Sequence, residues 1–462
     1  MNVRWTAALV VGAAALGAWV WFGELGGESR KKAAEAEAQR VFGEDPNGVT
    51  KLEVSLADGT LARLVRAGTS WQLELPVVYP ADPESVERLL HSLQKVQATA
   101  TISPAPAELA QFGLGESRRT VRLFAGDAPP KEVFLGAPTP IGGGRYLALP
   151  TDPNKLYVVD SAEVSGALPT LVDLRDKRLL RLPTDAADEL TVRADGALVA
   201  HAKKTEAGWQ LVEPEAAPAD AEKLRRVLED VGFARATGFA DTETEAQKAS
   251  FQKPELELDV HSPAGEERVA FAKADGKTWL SRAGDAVLLE VNPAVSTGVP
   301  TKTFDYRQKR VLTLASDQVH ALELSFPRTG ETHRFELDAS GSEWKSTEAG
   351  VELKPLKVED LVLAVASLDA TGLEPAGADR KKLGLDPPMA TVRALDAKGG
   401  ELGVLSLGDA SPKDGLPALS SQNTEVWRVS NDLGGQVPLS PEAYRNLFVK
   451  SAAPAPAPPP KP

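Results

Sequence analysis

The sequence predicts an α+β protein of three tandem repeats, each a mostly antiparallel sheet plus an amphipathic helix, preceded by a single transmembrane helix. The first observation behind this prediction is a stretch that begins with Trp71 and recurs from Trp209 and Trp344, a period near 135 residues. Self-similarity at a fixed period is the signature of repeat proteins. The second observation is an uncharged, largely apolar run at residues 5–22.

Each copy of the recurring stretch passes from its tryptophan into a helical pattern. In the first two copies, proline follows five residues after tryptophan, and Ala-Asp follows ten and eleven residues after it. Apolar residues then stand at i, i+3, i+4 and i+7, which predicts an amphipathic helix. These positions are Val86, Leu89, Leu90 and Leu93, then Leu224, Val227, Leu228 and Val231, then Val358, Leu361, Val362 and Val365. All three copies continue to Ala-Thr, at Ala98-Thr99, Ala236-Thr237 and Ala370-Thr371.

The local chemistry of each copy indicates a strand followed by a capped helix. The Trp-x-Leu pattern is typical of a strand, and Pro76 or Pro214 would end it because proline cannot donate to a ladder. Asp82 and Asp220 stand where a helix N-cap is expected, and Pro83 suits the first helical position. The three tryptophans are predicted to be core anchors beside the helix. The alternative is an exposed tryptophan that stacks on a ligand or a partner.

Two similar ten-residue segments close the first two repeats. Residues 173–182 and 305–314 agree at six positions and are rich in arginine and lysine. Such a basic strip could contact lipid headgroups or an acidic partner. The favoured interpretation is ion pairing with carboxylates of the next repeat. The predicted organisation is a membrane anchor at 1–27, a stalk helix or linker at 28–44, repeats at 45–182, 183–314 and 315–450, and a Pro/Ala-rich disordered tail at 451–462.

The apolar run has the length of a membrane span. Its eighteen residues would extend about 27 Å as a helix, against a hydrocarbon core of about 30 Å. A cleaved signal peptide with a small-residue site at residues 15–18 is the rival interpretation. A retained anchor is favoured because residues 19–22 continue the apolar run beyond that site. Large domains translocate largely regardless of flanking charge, so we expect the bulk of the chain outside the cytoplasm.

Composition excludes several classes of function. The net charge of -13 argues against nucleic acid as the main partner. Cysteine is absent, which excludes disulfides, thiolate metal sites and a cysteine nucleophile. The five histidines are scattered, and the sequence has neither a Gly-x-Ser-x-Gly elbow nor a His-Glu-x-x-His motif. No catalytic, cofactor-binding or metal-binding residue is assigned, no cofactor is expected, and no small-molecule ligand is identifiable from the sequence.

The assembled motifs resemble a known bacterial family. They are the N-terminal apolar run, the repeated Trp-x-Leu, Pro and Ala-Asp pattern, the helix, Gly-Leu-Asp-Pro at 384–387 and the Asp-x-Arg-x-Lys-Arg-x-Leu closure. The chain resembles the domain-of-unknown-function family numbered forty-three forty. That resemblance implies a membrane-anchored, β-rich protein, often encoded beside ABC-transporter and gliding-motility-type components. Repeat three departs from the pattern, with Ala349 in place of proline and Lys354-Pro355 in place of Ala-Asp.

The expected function is that of a non-enzymatic, extracytoplasmic accessory or scaffold protein. It would be anchored in the inner (cytoplasmic) membrane by a single pass, with the bulk of the chain periplasmic, and associated with an ABC-transporter-like or envelope complex. One alternative is a module that binds a cell-wall polymer through exposed tryptophan. A second alternative is a hydrolase whose site is assembled from distant residues.

Overall fold

The architecture is mainly antiparallel β. The computed structural model describes residues 41–42, 48–104, 106–116 and 118–450. These residues form three sheets and seven helices, none longer than thirteen residues. The predicted α+β class is therefore wrong, because each repeat is dominated by a sheet of eight or nine antiparallel strands and contributes only one helix of twelve or thirteen residues. No helix in this part of the chain is long and apolar enough to cross a membrane. The predicted anchor at 1–27 and tail at 451–462 lie outside the described residues.

The first sheet contains nine strands in the order β4-β3-β2-β1-β6-β7-β8-β9-β5. The strands are β1 Lys51–Ser55, β2 Leu61–Ala67, β3 Ser70–Leu75, β4 Tyr79–Pro80, β5 Ala98–Ile102, β6 Arg119–Phe124, β7 Lys131–Pro138, β8 Gly144–Ala148 and β9 Leu156–Asp160. Helix α1, Pro83–Lys95, lies between β4 and β5, and the short α2, Leu171–Leu174, follows β9. Every pair of neighbouring strands is antiparallel.

The second sheet repeats this topology, in the order β13-β12-β11-β10-β15-β16-β17-β18-β14. Its strands are β10 Glu189–Ala194, β11 Ala197–Thr205, β12 Gly208–Glu213, β13 Ala217–Pro218, β14 Gly238–Ala240, β15 Leu256–Ser262, β16 Gly265–Ala274, β17 Lys277–Arg282 and β18 Leu288–Val291. Its helices are α3 Ala221–Phe233, α4 Glu245–Phe251 and α5 Pro293–Thr297.

The third sheet has the same order without the short edge strand: β21-β20-β19-β23-β24-β25-β26-β22. Its strands are β19 Ala321–Phe326, β20 Glu331–Leu337, β21 Trp344–Ser346, β22 Gly372–Leu373, β23 Ala390–Leu395, β24 Glu401–Leu407, β25 Leu416–Ser420 and β26 Val426–Val429. Its helices are α6 Pro355–Ala366 and α7 Pro441–Phe448. The shared order makes β3, β12 and β21 equivalent, and these are the strands that carry the three tryptophans.

Each sheet lies within one predicted repeat, although the predicted boundaries themselves stay a prediction. By contact density the described residues fall into two compact units. One contains residues up to 184 with 229–257 and 264–298, and the other contains 185–228, 258–263 and residues from 299 onward. In the first unit, the apolar stripe of α1 is buried in the core of the first sheet. In the second unit, the stripe of α6 is buried in the core of the third sheet.

The helix caps explain the recurring aspartate. Asp82 accepts a hydrogen bond from the Ser85 backbone N–H at 3.0 Å, and Asp220 accepts one from the Lys223 N–H at 2.9 Å. Each aspartate thus satisfies one of the free N–H groups at a helix start. In the third repeat Lys354 occupies the N-cap position, so Leu353-Lys354, and not the predicted Lys354-Pro355, stand in place of Ala-Asp. Lys354 provides no side-chain hydrogen bond to the helix start.

The recurring Ala-Thr also has one structural role in all three repeats. Each threonine hydroxyl donates to a backbone carbonyl of the neighbouring strand. The pairs are Thr99 to Val158 at 2.9 Å, Thr237 to Glu290 at 3.2 Å and Thr371 to Arg428 at 3.2 Å. The threonine therefore helps hold the last edge strand of each sheet in register.

Candidate functional site

The three equivalent tryptophans differ in burial. Trp71 is 5% exposed and Trp344 is 6% exposed, which confirms them as core anchors. Trp209 is only partly buried and is absent from the buried core, so the core-anchor prediction is not confirmed for this residue. The residue paired with each tryptophan on the neighbouring strand also differs. Arg66 pairs with Trp71, and its guanidinium lies 5.8 Å from the ring centroid. Leu337 pairs with Trp344, and the exposed Lys204 pairs with Trp209.

Trp209 lines a cavity of about 390 Å³. Strand β12 provides Trp209 and Gln210, and the start of α3 provides Asp220. The second closing segment contributes residues 308–310, and Asp369 follows α6. The backbone of the closing segment is fixed here, because Lys309 accepts a hydrogen bond at its carbonyl from the Ala370 N–H at 2.8 Å. The cavity thus has one aromatic wall and several polar side chains.

The closing segments themselves are structural. Arg175 of the first segment is fully buried, and its guanidinium lies 2.7 Å from Asp241. The same guanidinium lies 6.0 Å from the Tyr79 ring centroid and 5.0 Å from that of Phe239. Cation–π contacts of this kind stabilise a buried guanidinium. The arginine is therefore part of the internal packing and is not presented to a membrane surface.

Arg307 has the equivalent role in the second segment. It is buried and bridges Glu215 at 2.9 Å and Glu425 at 2.7 Å, with its guanidinium 5.4 Å from the Trp427 ring centroid. The predicted pairing of the basic segments with carboxylates of the next repeat is confirmed for Arg175 with Asp241 and for Arg307 with Glu425.

Arg282 is a buried cation that sequence reasoning missed. It lies at the end of β17, 2.8 Å from Glu267 and 2.6 Å from Asp285, and it donates to the Leu179 carbonyl at 3.1 Å. Arg181 reaches the same Asp285 at 2.9 Å. A single arginine at the end of a strand carries no signal of burial, because its partners come from other parts of the sequence.

Asp176 is the buried carboxylate of the first closing segment. Burial would raise its pKa, but hydrogen bonds from Arg178, one of them 2.7 Å long, outweigh burial and lower the pKa below its ordinary value. The carboxylate is therefore held ionised, and it serves the packing of the segment.

The histidines pair with separate carboxylates and do not converge. His201 lies 2.6 Å from Glu189, His261 lies 2.6 Å from Asp188 and His333 lies 2.6 Å from Glu348. In the part of the chain that the structure describes, no group of three or more His, Asp or Glu side chains is arranged to hold a metal ion.

Helix α6 has an exposed apolar face that its counterparts lack. Leu356 is 71% exposed and Leu363 is 57% exposed. Aligning the three helices by their buried stripes places these leucines at the positions of Glu84 and His91 in α1 and of Glu222 and Glu229 in α3. Both of these positions are charged or polar in α1 and α3, and both are leucine on the exposed face of α6.

The fold and these features define an antiparallel β-repeat protein in which one arginine of each closing segment is buried and paired with carboxylates. A family model described as Domain of unknown function (DUF4340) matches residues 71–254 and 209–379, and the chain belongs to this family. The two matches overlap, which agrees with internal repetition. No curated protein and no solved structure shows significant similarity to the chain.

Proposed function

We propose that this protein is a non-enzymatic accessory or scaffold protein on the extracytoplasmic side of the inner membrane, where it binds a subunit of an ABC-transporter-like complex. The observation that carries the proposal is the exposed leucine pair on α6. Leu356 and Leu363 are seven residues apart and lie about 10 Å apart along one helix face.

An exposed apolar face on a helix is a typical protein-docking surface. The flanking side chains Lys357 and Asp360 form an ion pair at 2.9 Å, and the exposed carboxylate of Glu359 lies between the two leucines on the same face of the helix. The occupant we propose is therefore an apolar surface of a transporter subunit that also offers a polar hydrogen-bond donor to Glu359. A strongly acidic partner would be repelled by Glu359.

The placement at the membrane is supported by the apolar run at residues 5–22. With the bulk of the chain outside the cytoplasm, protease added to intact spheroplasts should digest residues 48–450. Protection of these residues until the cells are lysed would contradict the placement.

The partner is tested by affinity capture of the full chain from detergent-solubilised native membranes. The wild-type chain should enrich a membrane subunit of an ABC-type transporter, identified by mass spectrometry. The double substitution Leu356→Glu and Leu363→Glu should abolish this enrichment and leave the fold intact, because α3 carries glutamate at both equivalent positions.

The matched control is Ile141→Glu, which changes an apolar residue that is 89% exposed in the turn between β7 and β8. This variant should capture the transporter subunit as the wild-type chain does. Equal capture by the double variant, or enrichment of no transporter subunit by the wild-type chain, would contradict the proposal.

The partly exposed Trp209 favours a second candidate function, that of a polymer-binding module, which requires a saccharide site on the molecule.

A further inference from the structure

We infer that the cavity beside Trp209 is a binding site for a neutral saccharide. The inference is independent of the scaffold function, because the cavity is lined by β12, the start of α3, residues 308–310 and Asp369, none of which belongs to the leucine face of α6. It gives the polymer-binding alternative a particular site and a ligand class.

The aromatic wall is the first argument. Trp209 is the partly exposed member of an equivalent set whose other members are buried. A tryptophan that lines an open cavity offers a flat apolar ring to a ligand while its edge stays close to water. The apolar C–H face of a pyranose ring is complementary to such a surface.

The space around the ring is the second argument. Ala207, Gly208, Ala219 and Ala221 all line the cavity, and none has a side chain beyond Cβ. The resulting volume of about 390 Å³ lies at the lower end of the range of about 300–1,000 Å³ that is usual for small-molecule sites. A ligand of about one or two sugar rings suits a site of this size, and further rings would extend into solvent.

The polar groups around the ring indicate that the ligand is neutral. Arg310 is already paired with Asp369 at 3.2 Å, and Lys309 lies 3.6 Å from Asp305. Asp220 is oriented by its capping hydrogen bond from the Lys223 N–H. The four charged residues that line the cavity are Lys309, Arg310, Asp220 and Asp369, and their charges sum to zero, so the lining favours neither an anion nor a cation. Hydroxyl groups can instead donate to the carboxylates and accept from the cations without breaking the pairs.

Two side-chain amides complete the hydrogen-bonding set. Gln210 and Gln308 line the cavity, and each amide provides both donors and an acceptor. The equivalent place in the first repeat retains one amide, Gln72, but lacks the rest of this set. Asp176 stands there for Gln308 and is bound to Arg178, Arg235 stands for Asp369, and Trp71 is buried. The saccharide site is therefore particular to the second copy of the pattern.

The test is isothermal titration of the full chain with cellotriose, N,N′,N″-triacetylchitotriose and maltotriose, three neutral trisaccharides. At least one of them should bind at millimolar or lower concentration. Trp209→Ala should weaken this binding at least tenfold, and Gln308→Ala should weaken it about threefold or more. The thermal unfolding of each variant is recorded beside its titration.

Gln72→Ala is the matched control for Gln210→Ala, because Gln72 follows Trp71 as Gln210 follows Trp209 but is exposed on β3. The Gln72 variant should bind like the wild-type chain, whereas the Gln210 variant should bind more weakly. If Trp209→Ala unfolds the chain, the glutamine variants still decide the matter. Absence of binding by all three trisaccharides, or affinities unchanged by the substitutions at Trp209, Gln210 and Gln308, would overturn the inference.

Discussion

At the scale of single residues, equivalent positions in the repeats have come to differ in burial. Trp71 and Trp209 follow the same sequence pattern and occupy equivalent strands, yet only Trp71 belongs to a closed core. Each tryptophan lies on the face of its strand that carries the next buried leucine, Leu73 or Leu211. The two rings therefore differ in burial because of the residues that pack on them from other parts of the chain, and the sequence of the strand does not specify those residues.

This difference predicts unequal stability effects. Trp71→Ala should destabilise the first repeat by about 3–5 kcal/mol, the usual effect of truncating a buried large aromatic residue. Trp209→Ala should cost clearly less, because part of its ring is already in contact with water. Native-state hydrogen exchange, resolved by sheet, is the suitable measurement, because a chain of several cores need not unfold in one step. Equal loss of protection in the two variants would show that Trp209 is a core residue.

A second prediction at this scale concerns Asp176. Its pKa is lowered in the folded chain, so it stabilises the fold fully above its ordinary pKa of 3.8, and this contribution is lost as the pH falls through the lowered value. Asp176→Asn should therefore make stability less dependent on pH from about pH 4 downward. Urea unfolding at a series of pH values measures this. If the free energy of unfolding of the variant changed with pH as that of the wild type does throughout this range, Asp176 would not be the source of the pH dependence.

At the scale of elements, the closing segments act as internal ties. Arg175 and Arg307 occur at the same place in their segments, but their carboxylate partners are not equivalent: Asp241 follows β14, whereas Glu425 precedes β26. The arginine position recurs with a different partner, which indicates that a buried cation is required at this place. Aromatic rings face both guanidinium groups and add to their stabilisation.

Replacing either arginine by methionine should destabilise the chain by about 1–3 kcal/mol, the usual contribution of hydrogen bonds to charged groups. Each substitution leaves a carboxylate without its arginine, but Asp241 is 39% exposed and Glu425 is 38% exposed, so water can solvate both. The loss of stability should therefore be smaller than that for a fully buried, unpaired charge. The control is Arg225→Met, which removes an exposed pair with Glu222 and should cost less than about 1 kcal/mol. Chemical denaturation of the three variants provides the comparison, and equal effects would contradict a tying role for the segments.

At the scale of the whole molecule, the repeats and their helices were predictable because their signals are local. The apolar stripe of α1, its Asp82 cap and the strand that ends before Pro76 each depend on residues within one or two turns. The class was mispredicted because one prominent helix per repeat was given the same weight as a sheet of eight or nine strands. Many of those strands are short and leave little periodic signal.

The candidate sites were far less predictable than the repeats. Arg175 and Asp241 are 66 residues apart, and Arg307 and Glu425 are 118 residues apart, so no spacing rule joins them. The exposure of Trp209 depends on the small residues around it and on a closing segment about a hundred residues later in the chain. The leucines of α6 could have been found by aligning the three helices and examining the positions outside the buried stripe.

The central claim is that the exposed face of α6 binds a transporter subunit, and photo-crosslinking in native membranes tests it most directly. A photoreactive amino acid is placed at Leu363 of the full chain, and at His91, its exposed counterpart on α1, as the control. We expect an adduct between position 363 and a membrane subunit of an ABC-type transporter, and no such adduct from position 91. Failure to form this adduct at position 363, or equal adducts from the two positions, would contradict the claim.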